Sequence, residues 1–282
     1  MLRWTRILPG LSYLLFTALL LFCEGAPDAL AGDTIRINGS GAALEMMKPL
    51  VKAYGKTARG ISFVMVKPLG SSGSIKALLA GAIDIAVVSR PLRPEEIDRG
   101  GRARPFGKTP LAIVVEKSNR LKTISTTELE DIYAGRMTKW PDGETIRIIL
   151  RPREDTDTKI LRSLSPRMDE AVAAAHRRQG LRIMITDPES NQAVARTIGG
   201  VGASALTGVP VDGPPLNVLA LNGVKPGRKT LADGTYPLAK EISFVTTDRL
   251  SDAAAKFLDF VYSRKGRAIA EKHGVLFTAD TK

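Results

Sequence analysis

Short apolar segments alternate with amphipathic ones along almost the whole chain after its first 31 residues. Residues 34–38 alternate apolar and polar side chains with a period of two, which predicts a first strand. After a Gly-Ser-Gly turn, residues 42–54 have apolar side chains on one face of a predicted helix. Strands that alternate with helices are typical of folds with mostly parallel sheets. The pattern therefore predicts the α/β class.

Further elements follow the same order. Strands are predicted at 62–66, 83–88, 111–115, 146–150, 181–186, 199–203 and 241–247, and helices at 74–80, 126–133, 187–198, 251–263 and 266–273. The strand at 111–115 is a candidate to cross between two lobes. Asp187 can cap the predicted helix at 187–198. The segments 209–215 and 225–235 are rich in Pro and Gly and are predicted to be flexible.

The N-terminus has the features of a secretion signal. Two arginines precede an apolar run at 11–22 that is too short to span a bilayer comfortably, and a small-x-small site ends at Ala31. We therefore expect residues 1–31 to be a signal peptide that is cleaved after Ala31. The mature protein is then a soluble periplasmic or secreted chain. An uncleaved membrane anchor is the alternative.

Cys23 is the only cysteine of the chain. Phe22 precedes it where a lipobox needs a small residue, so we expect Cys23 to leave with the signal rather than to be acylated. The mature chain then has no disulfide and no thiolate chemistry, and an apolar core must hold it together. About 250 residues can supply such a core in one or two lobes.

The balance of charge points to an anionic ligand or partner. The chain has 41 Lys and Arg against 29 Asp and Glu, a net charge of +12. In an exported protein such an excess indicates anionic solutes, anionic lipid or a negatively charged partner rather than nucleic acid. Aromatic residues make up only 5% of the chain, so no platform for stacking nucleic-acid bases is evident.

The sequence has no signature of catalysis. It contains neither a histidine pair nor a cysteine cluster for a metal, and it lacks the Gly-x-Ser-x-Gly elbow of serine hydrolases. His176 and His273 lie in basic helical segments and are predicted to be surface residues. We expect no catalytic residue, no metal and no cofactor.

Three polar turns each connect a predicted strand to a helix. They are Asn-Gly-Ser-Gly at 38–41, Gly-Ser-Ser-Gly at 70–73 and Arg-Glu-Asp-Thr-Asp-Thr at 153–158. The first turn of a helix has unpaired N–H groups and a partial positive charge, so each turn is a candidate for anion binding. One helix terminus contributes roughly 0.3–1 kcal/mol, whereas micromolar affinity needs about 8 kcal/mol. Several turns and an arginine, Arg151 or Arg153, must therefore converge in one cleft.

Four blocks resemble the periplasmic phosphate-binding proteins of ABC importers. Residues 70–92 begin with Gly-Ser-Ser-Gly-Ser and end with Ser-Arg-Pro-Leu, and residues 125–143 contain Tyr-Ala-Gly-Arg and Trp-Pro-Asp-Gly. Residues 153–158 are similar to the family's Arg-x-Asp-Ser-Gly-Thr anion loop, and residues 251–274 are similar to its C-terminal element. The resemblance covers nearly all of the mature chain in the right order.

The resemblance implies a type II periplasmic-binding-protein fold with two α/β lobes, each a mixed sheet flanked by helices. Residues 33–114 plus 238–282 would form lobe 1, and residues 115–237 would form lobe 2. A small oxyanion, with phosphate as the first choice, would bind between the lobes and close them by a hinge motion. The protein would act as a monomer and deliver its ligand to an inner-membrane ABC permease.

Position by position, the resemblance assigns ligand contacts to Ser40, Gly41, Ala42, Ser71, Ser72, Gly73, Ser89, Arg90, Arg153, Thr156 and Thr158. Two positions depart from the family: Ser89 stands where many phosphate-selective members have Asp, and Asp157 stands where they have Gly. A carboxylate about 4 Å from a bound anion repels it by about 1 kcal/mol in water and more in a closed cleft. Either Asp157 turns away, toward Arg151 or Arg153, or the ligand is not simple phosphate.

Two other functions remain open from the sequence. An exported sensory or accessory protein of the same fold would bind another anionic metabolite or a protein partner without transport. A phosphoester hydrolase would need metal ligands, and the sequence offers none.

Overall fold

The computed structural model describes residues 33–209 and 215–277. The predicted signal peptide at 1–31, its cleavage site and Cys23 lie outside these ranges, as does most of the segment 209–215. Within them, no helix has the length and the apolar character needed to cross a membrane.

The described residues form strands β1 (Asp33–Gly39), β2 (Ile61–Val64), β3 (Ile85–Val88), β4 (Arg102–Glu116), β5 (Thr123–Ile124), β6 (Arg147–Leu150), β7 (Arg182–Ile183), β8 (Gly200–Ala205), β9 (Leu216–Leu221) and β10 (Ala239–Thr246). They form helices α1 (Gly41–Gly55), α2 (Gly70–Leu79), α3 (Pro94–Asp98), α4 (Thr126–Ala134), α5 (Thr156–Arg162), α6 (Pro166–Ala175), α7 (Asp187–Arg196), α8 (Arg228–Ala232), α9 (Asp252–Tyr262) and α10 (Arg264–Lys272). Helix α8 lies within 225–235, a segment that was predicted to be flexible.

Strand β4 belongs to both halves of the sheet. The strands follow the order β2-β1-β3-β10-β4-β8-β6-β7, and β9 pairs with β4 and β5. Residues 102–110 of β4 pair with β10, whereas residues 111–116 pair with β8 and β9. The strand predicted at 111–115 is therefore the second half of a longer strand that crosses between the two halves.

Two separate apolar cores lie on either side of the point where β4 changes partners. The first is built from residues 35–106 and 242–275, and the second from residues 111–238. We call the parts around these cores the first and the second lobe. The predicted two-lobed α/β fold, with a mixed sheet and flanking helices in each lobe, is confirmed. The exact lobe limits, 33–114 plus 238–282 and 115–237, stay a prediction.

The Gly-Ser-Ser-Gly segment at 70–73 is not a turn before a helix, as predicted, but the first turn of α2. The start of this helix is tied to β1, because the N–H of Leu69 and the hydroxyl of Ser74 both donate to Oδ1 of Asn38, at 2.9 and 3.1 Å. These contacts come from a distant strand, which local sequence patterns do not report.

The segment around 181–187 also differs from the prediction. Its strand is reduced to the two residues of β7, because β7 is the edge of the sheet and, among the described strands, pairs with β6 alone. The cap of α7 is Thr186 rather than Asp187, since the Thr186 hydroxyl accepts the N–H of Glu189. Asp187 is the first helical residue, and its carboxylate makes other contacts, described below.

Strands β1 and β3 approach each other closely at Gly39. A Cβ atom at this position would be 2.3 Å from the backbone oxygen of Val87, the same oxygen that accepts the N–H of Ser40. Only glycine therefore allows the two strands to end side by side at Ser40.

We expect Gly39→Ala to lower the free energy of unfolding by about 1–3 kcal/mol, because the strands must separate to admit the methyl group. Urea denaturation measures the change. The control is Gly55→Ala at the end of α1, where a Cβ atom meets nothing within 4 Å; this variant should keep or slightly raise stability. Equal effects of the two substitutions would contradict the packing argument.

Candidate functional site

Three of the predicted serines meet at the carboxyl ends of β1 and β3. The hydroxyl oxygens of Ser40 and Ser89 are 3.3 Å apart, and the hydroxyl of Ser71 accepts the N–H of Ser89 at 3.0 Å. All three side chains are buried. They adjoin the first turn of α1, which begins at Gly41.

Asn38 organises this group and was not among the predicted site residues. Its side-chain oxygen accepts the N–H groups of Gly39 and Leu69 and the hydroxyl of Ser74, and its amide donates to the carbonyl of Lys67. One buried side chain thus fixes the end of β1 relative to the start of α2.

Ser72, Gly73 and Arg90 lie at the rim of this group. Ser72 is exposed and accepts the Nε–H of Arg90 at 3.1 Å, and Gly73 is half-buried in the first turn of α2. The guanidinium of Arg90 also binds both carboxylate oxygens of Glu96, at 2.8 and 2.7 Å. The hydrogen bonds from Arg90 lower the pKa of Glu96, so the charge of Arg90 is already balanced.

The second lobe contributes the residues around the start of α5. Thr156 is half-buried as the first residue of the helix, and the buried Thr158 hydroxyl donates to the carbonyl of Arg151 at 3.4 Å. Arg153 is exposed and donates to the carbonyl of His176 at 3.3 Å, away from the serines. Of the two arginines considered from the sequence, the buried one is Arg151. A ligand contact by Arg153 stays a prediction.

Five charged side chains form a cluster between the lobes: Arg151, Asp155, Asp157, Asp187 and Lys240. The Nζ of Lys240 lies 2.5 Å from Oδ1 of Asp157 and 3.3 Å from Oδ1 of Asp187. The Nη2 of Arg151 lies 2.9 Å from Oδ2 of Asp155 and 3.5 Å from Oδ2 of Asp187. The side chains of Lys240, Asp157 and Asp187 are only 2%, 1% and 3% exposed. We call these five residues the interlobe charge cluster.

Asp187 links this cluster to α1. The N–H of Gly41 donates to Oδ2 of Asp187 at 3.0 Å, and a Cβ atom at Gly41 would lie 2.5 Å from Cδ of Pro188. Next to it, the buried Ala42 packs against Gly208 of the second lobe. Because a helix N-terminus attracts negative charge, the groups around this carboxylate form a site for an anion. We call it the α1 seat: the N–H of Gly41, Nζ of Lys240 and Nη2 of Arg151.

Several buried polar atoms of Arg151 and of helix α7 have no hydrogen-bond partner among the described residues. They include Nε of Arg151, Oγ of Ser190 and Oδ1 of Asn191. Unpaired buried polar atoms are uncommon in folded proteins, and a bound water or ion is one explanation for them. These residues of the second lobe therefore have hydrogen-bonding capacity that the described residues do not use.

A cavity of about 1090 Å³ is lined by residues of both lobes, which include Lys48, Pro188, Glu189, Thr207 and Lys272. None of the eleven predicted ligand contacts lines it. Among residues 33–209 and 215–277, no group of His, Cys, Asp and Glu side chains is arranged to hold a metal ion.

The sequence profile of the PBP superfamily domain matches residues 24–265. The chain belongs to the PBP superfamily. The resemblance to periplasmic phosphate-binding proteins seen in the sequence is confirmed.

Among its relatives is a protein named phosphate-binding protein PstS from Borreliella burgdorferi, which is 24% identical over 279 residues, 94% of this chain and 96% of the relative. A protein of the same name from Bacillus subtilis is 26% identical over 266 residues, 89% of this chain and 83% of the relative. These relatives are named as binding proteins and not as enzymes.

The fold is shared with a crystal structure from Clostridium perfringens, described as a substrate-binding protein of a phosphate ABC transporter with bound phosphate. The TM-score is 0.73, with 19% identity, and the match covers 87% of this chain and 100% of the other. At this identity the likeness establishes the fold of this PBP-superfamily chain.

Only part of the site of this PBP-superfamily protein was predicted from the amino-acid pattern. Lys240 was missed, although it lies between Leu238 and Ile242 on a strand in which alternate residues face the same side. Since both neighbours are buried, the pattern indicated a buried lysine. Asp157 pairs with Lys240, at 2.5 Å, rather than with Arg151 or Arg153.

The two acids that share Lys240 differ in their acidity. Burial, together with repulsion from Asp187 and Asp155, raises the pKa of Asp157 to about 7 against the attraction of Lys240. Burial would also raise the pKa of Asp187, but attraction to Lys240 and Arg151 outweighs it and lowers this pKa to about 2. Of the two acids that share Lys240, Asp187 is therefore firmly ionised near neutral pH, whereas Asp157 titrates there.

We expect Asp157 to make stability depend on pH. The pKa of Asp157 is higher in the folded chain than its unfolded value of about 4. The folded protein thus binds more protons between about pH 4 and 7, and stability falls as the pH rises through this window. The difference in unfolding free energy between wild type and Asp157→Asn should fall by up to about 1.4 kcal/mol per pH unit there. Urea denaturation across this range measures it.

The control is Glu154→Gln, which removes a fully exposed carboxylate of the same loop. The hydrogen bond from Lys159 lowers the pKa of Glu154, so this carboxylate makes stability rise rather than fall with pH. The difference in unfolding free energy between wild type and Glu154→Gln should therefore not fall between about pH 4 and 7. A difference for Asp157→Asn that stays flat between about pH 4 and 7 would refute the assignment.

Proposed function

We propose that this protein is an extracytoplasmic solute-binding protein that captures phosphate or a related oxyanion between its lobes for an ABC importer. The observation that carries the proposal is the α1 seat, in which an N–H group and two cationic side chains from both sides of the interface surround one carboxylate. A carboxylate has the charge and the acceptor oxygens of an oxyanion. The names of the relatives, phosphate-binding proteins, support the same ligand class.

The free energy that the groups of the α1 seat can contribute to anion binding is in the range that micromolar affinity needs. A hydrogen bond to a charged group contributes about 1.5–3 kcal/mol, and micromolar binding needs about 8 kcal/mol. Three such donors, with the hydroxyls of Ser40 and Ser89 beside them, reach this range. In the proposal Ser40, Gly41, Ala42, Ser71 and Ser89 surround the ligand, and Arg151 takes the role that the sequence assigned to Arg153.

We propose that the remaining predicted contacts surround the ligand outside this inner set: Ser72, Gly73, Arg90, Thr156 and Thr158. Residues 1–31 act as a signal peptide in this proposal, and the cleaved protein is a soluble monomer outside the cytoplasm. An inner-membrane ABC permease receives the ligand. The protein performs no chemistry on it and needs no cofactor.

One observation favours the second candidate, a sensory or accessory protein that binds another ligand without transport. The interlobe charge cluster contains three carboxylates and two cations, so it offers no excess of positive charge to a dianion. A ligand of lower negative charge than phosphate would suit it better.

Titration calorimetry of the mature chain, residues 32–282, with phosphate, sulfate, molybdate and a phosphonate tests the proposal. We expect phosphate to bind, and Arg151→Gln to weaken binding at least about tenfold, because a hydrogen bond to a charged group is lost. Absence of binding to all four anions would refute the oxyanion proposal.

Arg153→Gln is the matched control, since this exposed arginine follows Arg151 by two positions but donates to the carbonyl of His176. Its affinity should stay within about twofold of wild type, less than the loss of one charged hydrogen bond. If Arg153→Gln weakened binding and Arg151→Gln did not, the original sequence assignment would be right. Circular dichroism checks that both variants fold.

A further inference from the structure

Asp187 occupies the position in which the proposed ligand would bind. Its carboxylate accepts the N–H of Gly41 from the first lobe and lies 3.3 Å from Lys240 and 3.5 Å from Arg151. We propose that Asp187 is an internal competitor of the oxyanion: it fills the α1 seat in the ligand-free protein, holds the lobes together, and must leave before a ligand can bind. This inference rests on the proposed function.

The start of α7 does not depend on the Asp187 side chain for its cap. Thr186 accepts the N–H of Glu189, and the Glu189 carboxylate accepts the N–H of Thr186 in return. This capping box satisfies the helix start. The Asp187 carboxylate is instead directed across the interface to the N-terminus of α1.

Asp187 lies in the middle of the contact between the lobes. On the same helix, Glu189 pairs with Lys67 of the first lobe at 2.8 Å, but these side chains are 37% and 75% exposed. Exposed ion pairs contribute little, about 0–1 kcal/mol. The buried Asp187 carboxylate therefore contributes more to the attraction across this contact than the exposed Glu189 pair, and it acts beside the buried pair of Lys240 with Asp157.

An oxyanion and the Asp187 carboxylate cannot share the α1 seat. Two negative charges about 4 Å apart repel strongly once water is excluded. The low pKa of Asp187 means that protonation does not relieve this repulsion near neutral pH. The apparent affinity for the ligand is therefore reduced by the fraction of molecules in which Asp187 is bound in the seat.

The test uses Asp187→Asn in the mature chain, measured by calorimetry with phosphate and sulfate and by small-angle X-ray scattering without ligand. We expect both anions to bind at least about tenfold more tightly, which corresponds to about 1.4 kcal/mol. The ligand-free variant should have a larger radius of gyration than wild type, and phosphate should reduce it. Glu189→Gln, which loses only the surface pair with Lys67, should stay within about twofold of wild type in affinity, a change below 1 kcal/mol.

The outcomes separate the inference from the proposed function. If neither wild type nor Asp187→Asn binds any oxyanion, the proposed function fails, and an unchanged radius of gyration then also overturns the competitor role. If wild type binds and Asp187→Asn binds with equal or lower affinity, the competitor role is overturned. Loss of phosphate binding with intact sulfate binding would instead identify Asp187 as an acceptor of the ligand's proton. Asp187→Ser, too short to reach Gly41, provides the same tests if the Asn variant does not fold.

Discussion

The buried ion pairs of Lys240 are the interaction on which the rest of the structure depends. Lys240 lies on β10, where the chain returns to the first lobe, and its partners Asp157 and Asp187 come from the starts of α5 and α7 in the second. Removing charges from water is costly, and losing one partner leaves the other unbalanced. The relative position of two helices and a strand is thus tied to a single ammonium group.

The net charge of the chain and the local charge at the α1 seat act on different steps of anion binding. The chain carries +12, yet the interlobe charge cluster has three acids against two bases, and Arg90 is balanced by Glu96. A basic surface draws anions in over long distances, whereas retention depends on the few groups at the seat. Attraction and retention can therefore be adjusted separately, the first by surface lysines and the second by acids such as Asp187.

The family resemblance assigned Ser89 at the end of β3. Local patterns predicted the fold class, the second half of β4 and the polar turns that contain Ser40 and Ser71, because strand periodicity and helix starts are short-range features. They did not reveal the partner of Gly41, since Asp187 is 146 positions away and only the closed interface joins them. Local patterns also could not predict which of the two arginines, Arg151 or Arg153, is buried at the site. The turn after Pro152 sets where each side chain points, and no periodic pattern extends through such a turn.

The course of β4 and β10 has a consequence for the order in which the chain can fold during synthesis. The N–H of Leu111 donates to the carbonyl of Leu238 at 2.9 Å. The chain therefore passes into the second lobe and returns from it at neighbouring positions, so that the second lobe is an insertion into the first. Strand β10 lies between β3 and β4 in the sheet of the first lobe. That sheet has a gap until β10 leaves the ribosome, by which time all of the second core has been made. The lobe that begins the chain is therefore the last to be completed.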